Sequence, residues 1–314
     1  MNPRNLRFPP VVAGVLLACT STMLGGVTVV LTRLVISQSD SLTFAAVRYG
    51  LAAIFLLGVL LISTRIPRFT RRDLIWLTIF GVIMFTGFPY FMTRALEDTT
   101  AARGALMFAT LPLVTILIGT LFRVERLTVR KIAGIAIAIT GSTIVLGQDA
   151  GVTAPDALRG DIFMFLAILC AAAFNVFSPR YLARYGNLPI VVLTMIVGTT
   201  VLSVLAIAFG SPFSGSLDFD LTGWFVMFLL AIPGAAAMTF MWGRALQIIT
   251  PTQATITVGL NPVTALLLGG WILSEPVTLR IAAGVALLIV AIVVTTTDRK
   301  DRPREGGQTR ENRA

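Results

Sequence analysis

The stretch Arg94–Gly141 is spelled out twice in this chain, and that repetition restricts the fold more than any other feature. Arg94-Ala95-Leu96 returns as Arg244-Ala245-Leu246, Thr100 as Thr250 and Pro112 as Pro262, all at an offset of 150 residues without a gap. Glu125, Thr128, Arg130 and Gly134 return as Glu275, Thr278, Arg280 and Gly284. A shared preference for Leu and Ala gives scattered matches. Arg, Pro, Glu and Thr held in one register require an internal duplication, and a duplication dictates architecture.

The duplicated material is lipid-like. Hydrophobic residues make up 56% of the chain and charged residues 13%, with a mean hydropathy of +0.87. A soluble domain carries about twice that charged fraction, so the chain reads as an all-α polytopic membrane protein. Its net charge of +10 does not point to nucleic acid, because the basic residues stand between apolar runs, where topology and lipid headgroups explain them. Histidine is absent, which removes the commonest general base and zinc ligand. Cys19 and Cys170 each lie inside an apolar run, so neither a disulfide framework nor a metal knuckle is implied. No Walker A sequence is present, and neither a metal nor another cofactor is expected.

Ten apolar runs predict ten transmembrane helices, at 11–33, 42–63, 73–95, 101–122, 128–147, 160–181, 188–210, 221–244, 251–273 and 279–297. Residues 1–147 then form a first five-helix repeat, 148–159 a linker, 160–297 a second repeat and 298–314 a disordered cytoplasmic tail. Leu16-Leu17-Ala18-Cys19 looks like a lipoprotein cleavage box, but the apolar run continues past it to Leu31, which predicts an uncleaved helix. With both termini cytoplasmic, 19 of the 25 Lys and Arg residues fall inside. An odd number of spans per repeat turns the second copy upside down. Glu125 is then cytoplasmic and Glu275 external, the inverted arrangement from which many secondary transporters build two gates around a central cavity.

The residues that recur resemble the drug/metabolite transporter superfamily, in its EamA-like ten-helix branch. The resemblance rests on Ala95-Leu96, Pro112, Glu125-Arg126-Leu127-Thr128 and Gly134, with their copies Ala245-Leu246, Asn261-Pro262, Glu275-Pro276-Val277-Thr278 and Gly284. Arg48-Tyr49 is similar to the family's recurring basic-aromatic pair. The resemblance covers residues 11–297 and implies a basket of helices that moves small metabolites, often amino acids or related compounds, across the inner membrane. Pro276 replaces Arg126 in the second copy, so no specific role attaches to Arg126.

Several residues are candidates for the transport path. Pro112 and Pro262 each remove a backbone hydrogen bond, and Pro89 and Pro233, beside Gly87 and Gly234, interrupt the third and eighth spans. In a bilayer the freed carbonyls need side chains, water or substrate, although a packing kink explains them equally. Asn175 and Asn261 are costly deep in a span and are candidate substrate ligands or helix–helix hydrogen bonds. Arg48, Arg94 and Arg244 could steer a carboxylate-bearing solute, or could instead cap helices and pair locally. Thr20, Tyr90 and Trp242 complete the candidate substrate-binding set, though an aromatic near a span end is more often an interfacial anchor. Glu125 and Glu275 read as structural, with Thr128 and Thr278 placed as helix N-caps.

These features favour a secondary transporter for a small metabolite, working by alternating access in the bacterial inner membrane and suited to export. A non-transporting scaffold or receptor has no obvious use for the inverted duplication. An intramembrane enzyme lacks both histidine and paired mid-span carboxylates. All 15 carboxylates fall in loops, tails or helix ends, so a buried proton carrier is not expected and movement down the substrate's own gradient is.

Overall fold

The computed structural model describes residues 9–35, 38–63, 66–98, 104, 107–146, 157–210, 213, 217–273 and 279–297. Among them the secondary structure is helical. Helix α1 is Pro10–Val35, α2 Ser41–Ser63, α3 Arg71–Val82 and α4 Phe88–Asp98. Then come α5 (Leu111–Leu121), α6 (Val129–Leu146), α7 (Ala157–Phe177) and the short α8 (Pro179–Tyr185). The remainder are α9 (Asn187–Phe209), α10 (Leu221–Ala231), α11 (Met238–Leu246), α12 (Pro251–Ile256), α13 (Leu260–Leu273) and α14 (Leu279–Thr296). The tail after residue 297, most of the linker, Arg103, Glu275 and Thr278 lie outside the described residues.

Among the described residues, six helical stretches are long and apolar enough to cross a bilayer: Pro10–Thr32, Ser41–Ser63, Arg71–Asp98, Leu158–Phe177, Asn187–Phe209 and Leu221–Leu246. Leu111–Leu121 and Ala283–Thr296 are shorter apolar helices. The chain is therefore a multi-pass membrane protein by its helices. Of the ten expected spans, the fourth and ninth are each interrupted near a proline that begins a new helix. Pro112 stands second in α5, and Pro262 third in α13 after a 3₁₀ turn at Thr257–Gly259. Proline lacks the N–H that a first helical turn leaves unpaired anyway, so each proline sits where a helix starts afresh rather than bending one mid-course.

The third and eighth spans are interrupted differently. One turn of π-helix, Ile83–Gly87, joins α3 to α4, and another, Ile232–Ala237, joins α10 to α11. The two turns lie at equivalent places in the two copies, Ile83 matching Pro233, whereas Pro89 follows the first turn and Pro233 lies inside the second. The loosened backbone is tied down from neighbouring helices. Arg48 Nη2 donates to the Gly234 carbonyl at 2.9 Å and Nε to that of Leu230 at 3.3 Å, while Thr86 Oγ1 donates to the Gly198 carbonyl at 2.7 Å.

Packing repeats the duplication. Helix α2 packs on α9 and α6 on α14, each against its own copy. Helix α7 packs on α4 and α5, and α1 correspondingly on α11 and α13. Exchanging the halves reproduces these pairings. Small residues allow the close approaches. A Cβ on Gly81 would lie 2.6 Å from the Thr194 carbonyl oxygen of α9. Gly81→Ala is thus expected to force the two backbones apart and cost about 1–3 kcal/mol, read from unfolding of the detergent-solubilised protein.

Candidate functional site

Helix ends gather unequally at the two ends of the bundle. At one end the first half of α1, the start of α3, the end of α7, α8, the end of α11 and α12 share a single apolar cluster, with Ala18, Leu77, Phe174, Tyr181, Leu246 and Ala254 among its buried members. At the other end the apolar contacts fall into two separate clusters. One joins α1, α2 and α10 around Phe44, Met227 and Leu230; the other joins α4, α5 and α7 around Ala95, Leu111 and Ile168. The repeated pair Leu246 and Leu96 records the difference: Leu246 is 3% exposed and Leu96 42%. Among the described residues, a single cluster plugs one end, and the equivalent residues at the other divide between two clusters.

Trp242 sits above the plug. Its ring packs against the plug and against the cluster of Ala171, Ala172 and Val258, and its Nε1 donates to Asn175 Oδ1 at 2.9 Å. Two candidates chosen separately from the sequence are thus one hydrogen-bonded pair across α7 and α11. Trp242→Phe leaves the buried Asn175 oxygen without this donor and is expected to lower stability by about 1–3 kcal/mol, most of which Asn175→Leu in the same chain restores. A thermal melt of the single and double variants checks this.

The other polar candidates make different contacts. The Asn261 amide meets Gly25 of α1, where a Cβ would come within 2.8 Å of its nitrogen. Nearby, Ser21 Oγ donates to the Met238 carbonyl at 2.9 Å. Thr20 is exposed on α1. Tyr90 is 38% exposed, with its ring edge against Phe91 at 5.5 Å. Phe91 in turn stacks on Phe163, whose ring also lies 5.8 Å from the guanidinium carbons of Arg94 and Arg159. Tyr90 and Arg94 therefore share the end opposite the plug with Arg159, which pairs with Asp98 at 3.3 Å.

The arginines have local partners. Arg94 pairs with Glu97, and at the plugged end Arg244 donates to Gln247 Oε1 at 2.7 Å, the same spacing of three in both copies. Gln247 Nε2 then donates to the Leu182 carbonyl at 2.6 Å, tying α11 to α8. Arg48 holds the second π-helical turn, and its guanidinium lies 5.4 Å from the Tyr49 ring.

A buried ion pair was not foreseen. Glu125 lies in the turn between α5 and α6, as expected, but its side chain is 2% exposed and that of Lys131 0%. Lys131 Nζ donates to Glu125 Oε2 at 2.6 Å, and Oε1 accepts the backbone N–H of Thr252 at 2.9 Å. The carboxylate therefore joins the first copy to the helix start of α12 in the second. Thr128 acts as the expected cap, its Oγ1 accepting the Lys131 N–H at 3.3 Å.

A family model described as the EamA-like transporter family matches residues 12–147 and again residues 158–297. The chain belongs to the EamA-like transporter family. Among EamA-like relatives, the uncharacterized transporter YyaM of Bacillus subtilis is 22% identical over 274 residues, covering 86% of this chain and 89% of that one. The probable terminal-alkyne amino-acid exporter of Streptantibioticus cattleyicolor is 26% identical over 265 residues, covering 84% of each chain. A crystal structure of a protein with 18% sequence identity superposes with a TM-score of 0.77, covering 91% of this chain and 96% of that one. At that identity the superposition shows the fold alone, and it is the fold described above.

Proposed function

We propose that this EamA-like protein is a secondary transporter that exports a small metabolite, an amino acid or related compound, across the bacterial inner membrane by alternating access. Ten spans in two inverted repeats, residues 1–147 and 160–297 with both termini cytoplasmic, form the carrier. The observation that carries the reading is the plug. Residues from both copies seal one end, while their described counterparts at the other divide between two clusters, an asymmetry that suits one of the two states an alternating carrier requires. In this topology the sealed end is cytoplasmic. The naming of one relative as an amino-acid exporter supports the substrate class.

The substrate path runs from the end opposite the plug past Tyr90 and Arg94 to the floor at Trp242 and Asn175, with Thr20 and Asn261 lining the α1 side. Arg48 and Arg244 act as structural ties at the π-helical turn and the plugged mouth, and the interruptions at Pro89, Pro112, Pro233 and Pro262 let the halves rearrange. Transport runs down the substrate's own gradient. The test uses proteoliposomes with equal radiolabelled amino acid on both sides, then an imposed gradient of substrate or of pH. A substrate gradient is expected to drive saturable flux and a pH gradient alone none. Flux equal to that of protein-free vesicles sinks the transport reading. If alanine at each of Thr20, Tyr90, Asn175, Trp242 and Asn261 leaves the kinetics unchanged, the path is wrong.

A further inference from the structure

A second polar recess lies outside the substrate path, where the start of α3 meets the end of α7 and α8. It is a cleft of about 280 Å³ lined by Thr70, Arg72, Asp73, Trp76, Arg180, Tyr181 and Arg184. Three guanidinium groups face one carboxylate there. Asp73 is already occupied, accepting from Arg184 Nη1 at 2.7 Å and from the Tyr185 hydroxyl at 2.6 Å. Arg72 makes no hydrogen bond or ion pair among the described residues and is exposed. Arg180 lies 4.6 Å from the Tyr181 ring centre and donates to the Tyr181 hydroxyl at 2.8 Å, which positions it without a direct ion pair among the described residues. Two arginine forks at the rim of a cleft suit the tetrahedral oxygens of a phosphate.

We propose that this cleft binds the phosphodiester headgroup of an anionic phospholipid. Inorganic phosphate offers the same oxygens, but the surroundings favour the lipid. Ile75 is 62% exposed and Trp76 41% on the same helix, an apolar face that a free ion does not need and an acyl chain does. A cationic recess opening beside such a face, where a span enters the interface, is how transmembrane helices hold anionic lipids. The site rests on the membrane reading of α3 but on no particular substrate or direction of transport. Tyr181 belongs to the plug as well as to the cleft, so the headgroup would bear on the plugged end.

The test is lipid retention by the full-length protein in a mild detergent, read by native mass spectrometry, with phosphatidylglycerol, phosphatidylcholine or inorganic phosphate added. Phosphatidylglycerol is expected to be retained over phosphatidylcholine, and Arg72→Gln with Arg180→Gln to weaken its retention at least about tenfold. Arg68→Gln with Arg71→Gln, neighbours outside the cleft, is expected to leave retention at the parent level. Equal loss in both pairs would mean diffuse surface charge and overturn the site. Unchanged retention in the Arg72 and Arg180 pair overturns it too, as does inorganic phosphate displacing the lipid at millimolar concentration. No transport is measured, so a negative result here leaves the transport reading standing, and absent flux leaves the lipid site standing.

Discussion

Lys131→Met is expected to destabilise the protein by about 3–5 kcal/mol, the largest loss of any single substitution considered for this fold. The reason is the partner it abandons. Glu125 is buried, and without the ammonium 2.6 Å from Oε2 its charge keeps only the Thr252 N–H as a described partner. Lys131 itself has no exposed surface, so water cannot take over its role without opening the packing of α5, α6 and α12. Glu125→Leu combined with Lys131→Met removes both charges and is expected to recover most of the loss, because a matched apolar pair carries no desolvation cost. Chemical denaturation of the detergent-solubilised variants provides the comparison. A single Lys131→Met variant within about 1 kcal/mol of the parent would show that the carboxylate is solvated, as exposed pairs are.

That ion pair also marks how far the sequence reaches. The duplication, the helical spans, the cap at Thr128 and the turn position of Glu125 follow from spacing and residue type, which act locally. Burial of Glu125 does not, because its acceptor role depends on Thr252, 127 residues away. The second copy gives no help, since Ile281 stands where Lys131 does in the first. Arg48 is a similar case. Its residue type suggested either substrate steering or helix capping, and only the packing of α2 on the second π-helical turn, 186 residues on, places it against the Gly234 carbonyl. Proline gave the interruptions but not their form, because a proline that breaks a helix and one that starts a new helix share one sequence signature. Asn175 and Trp242 were each suspect as polar or aromatic groups in a span. Their pairing needed the contact of α7 with α11.

The plug is the part of the account that function most depends on, and the tie between α8 and α11 gives a handle on it. Gln247 reaches the Leu182 carbonyl at 2.6 Å, and Ala183 beside it is exposed. Cysteines placed at Ala183 and Gln247, in a chain whose Cys19 and Cys170 are replaced by alanine, can be joined by a short cleavable bismaleimide. The decisive measurement is amino-acid flux through proteoliposomes of this variant before linking, after linking and after cleavage. If alternating access requires the plug to open, linking is expected to lower flux at least about tenfold, by holding the carrier in the closed-plug state, and cleavage to restore it. Flux that is indifferent to a link verified by mass spectrometry would contradict the account.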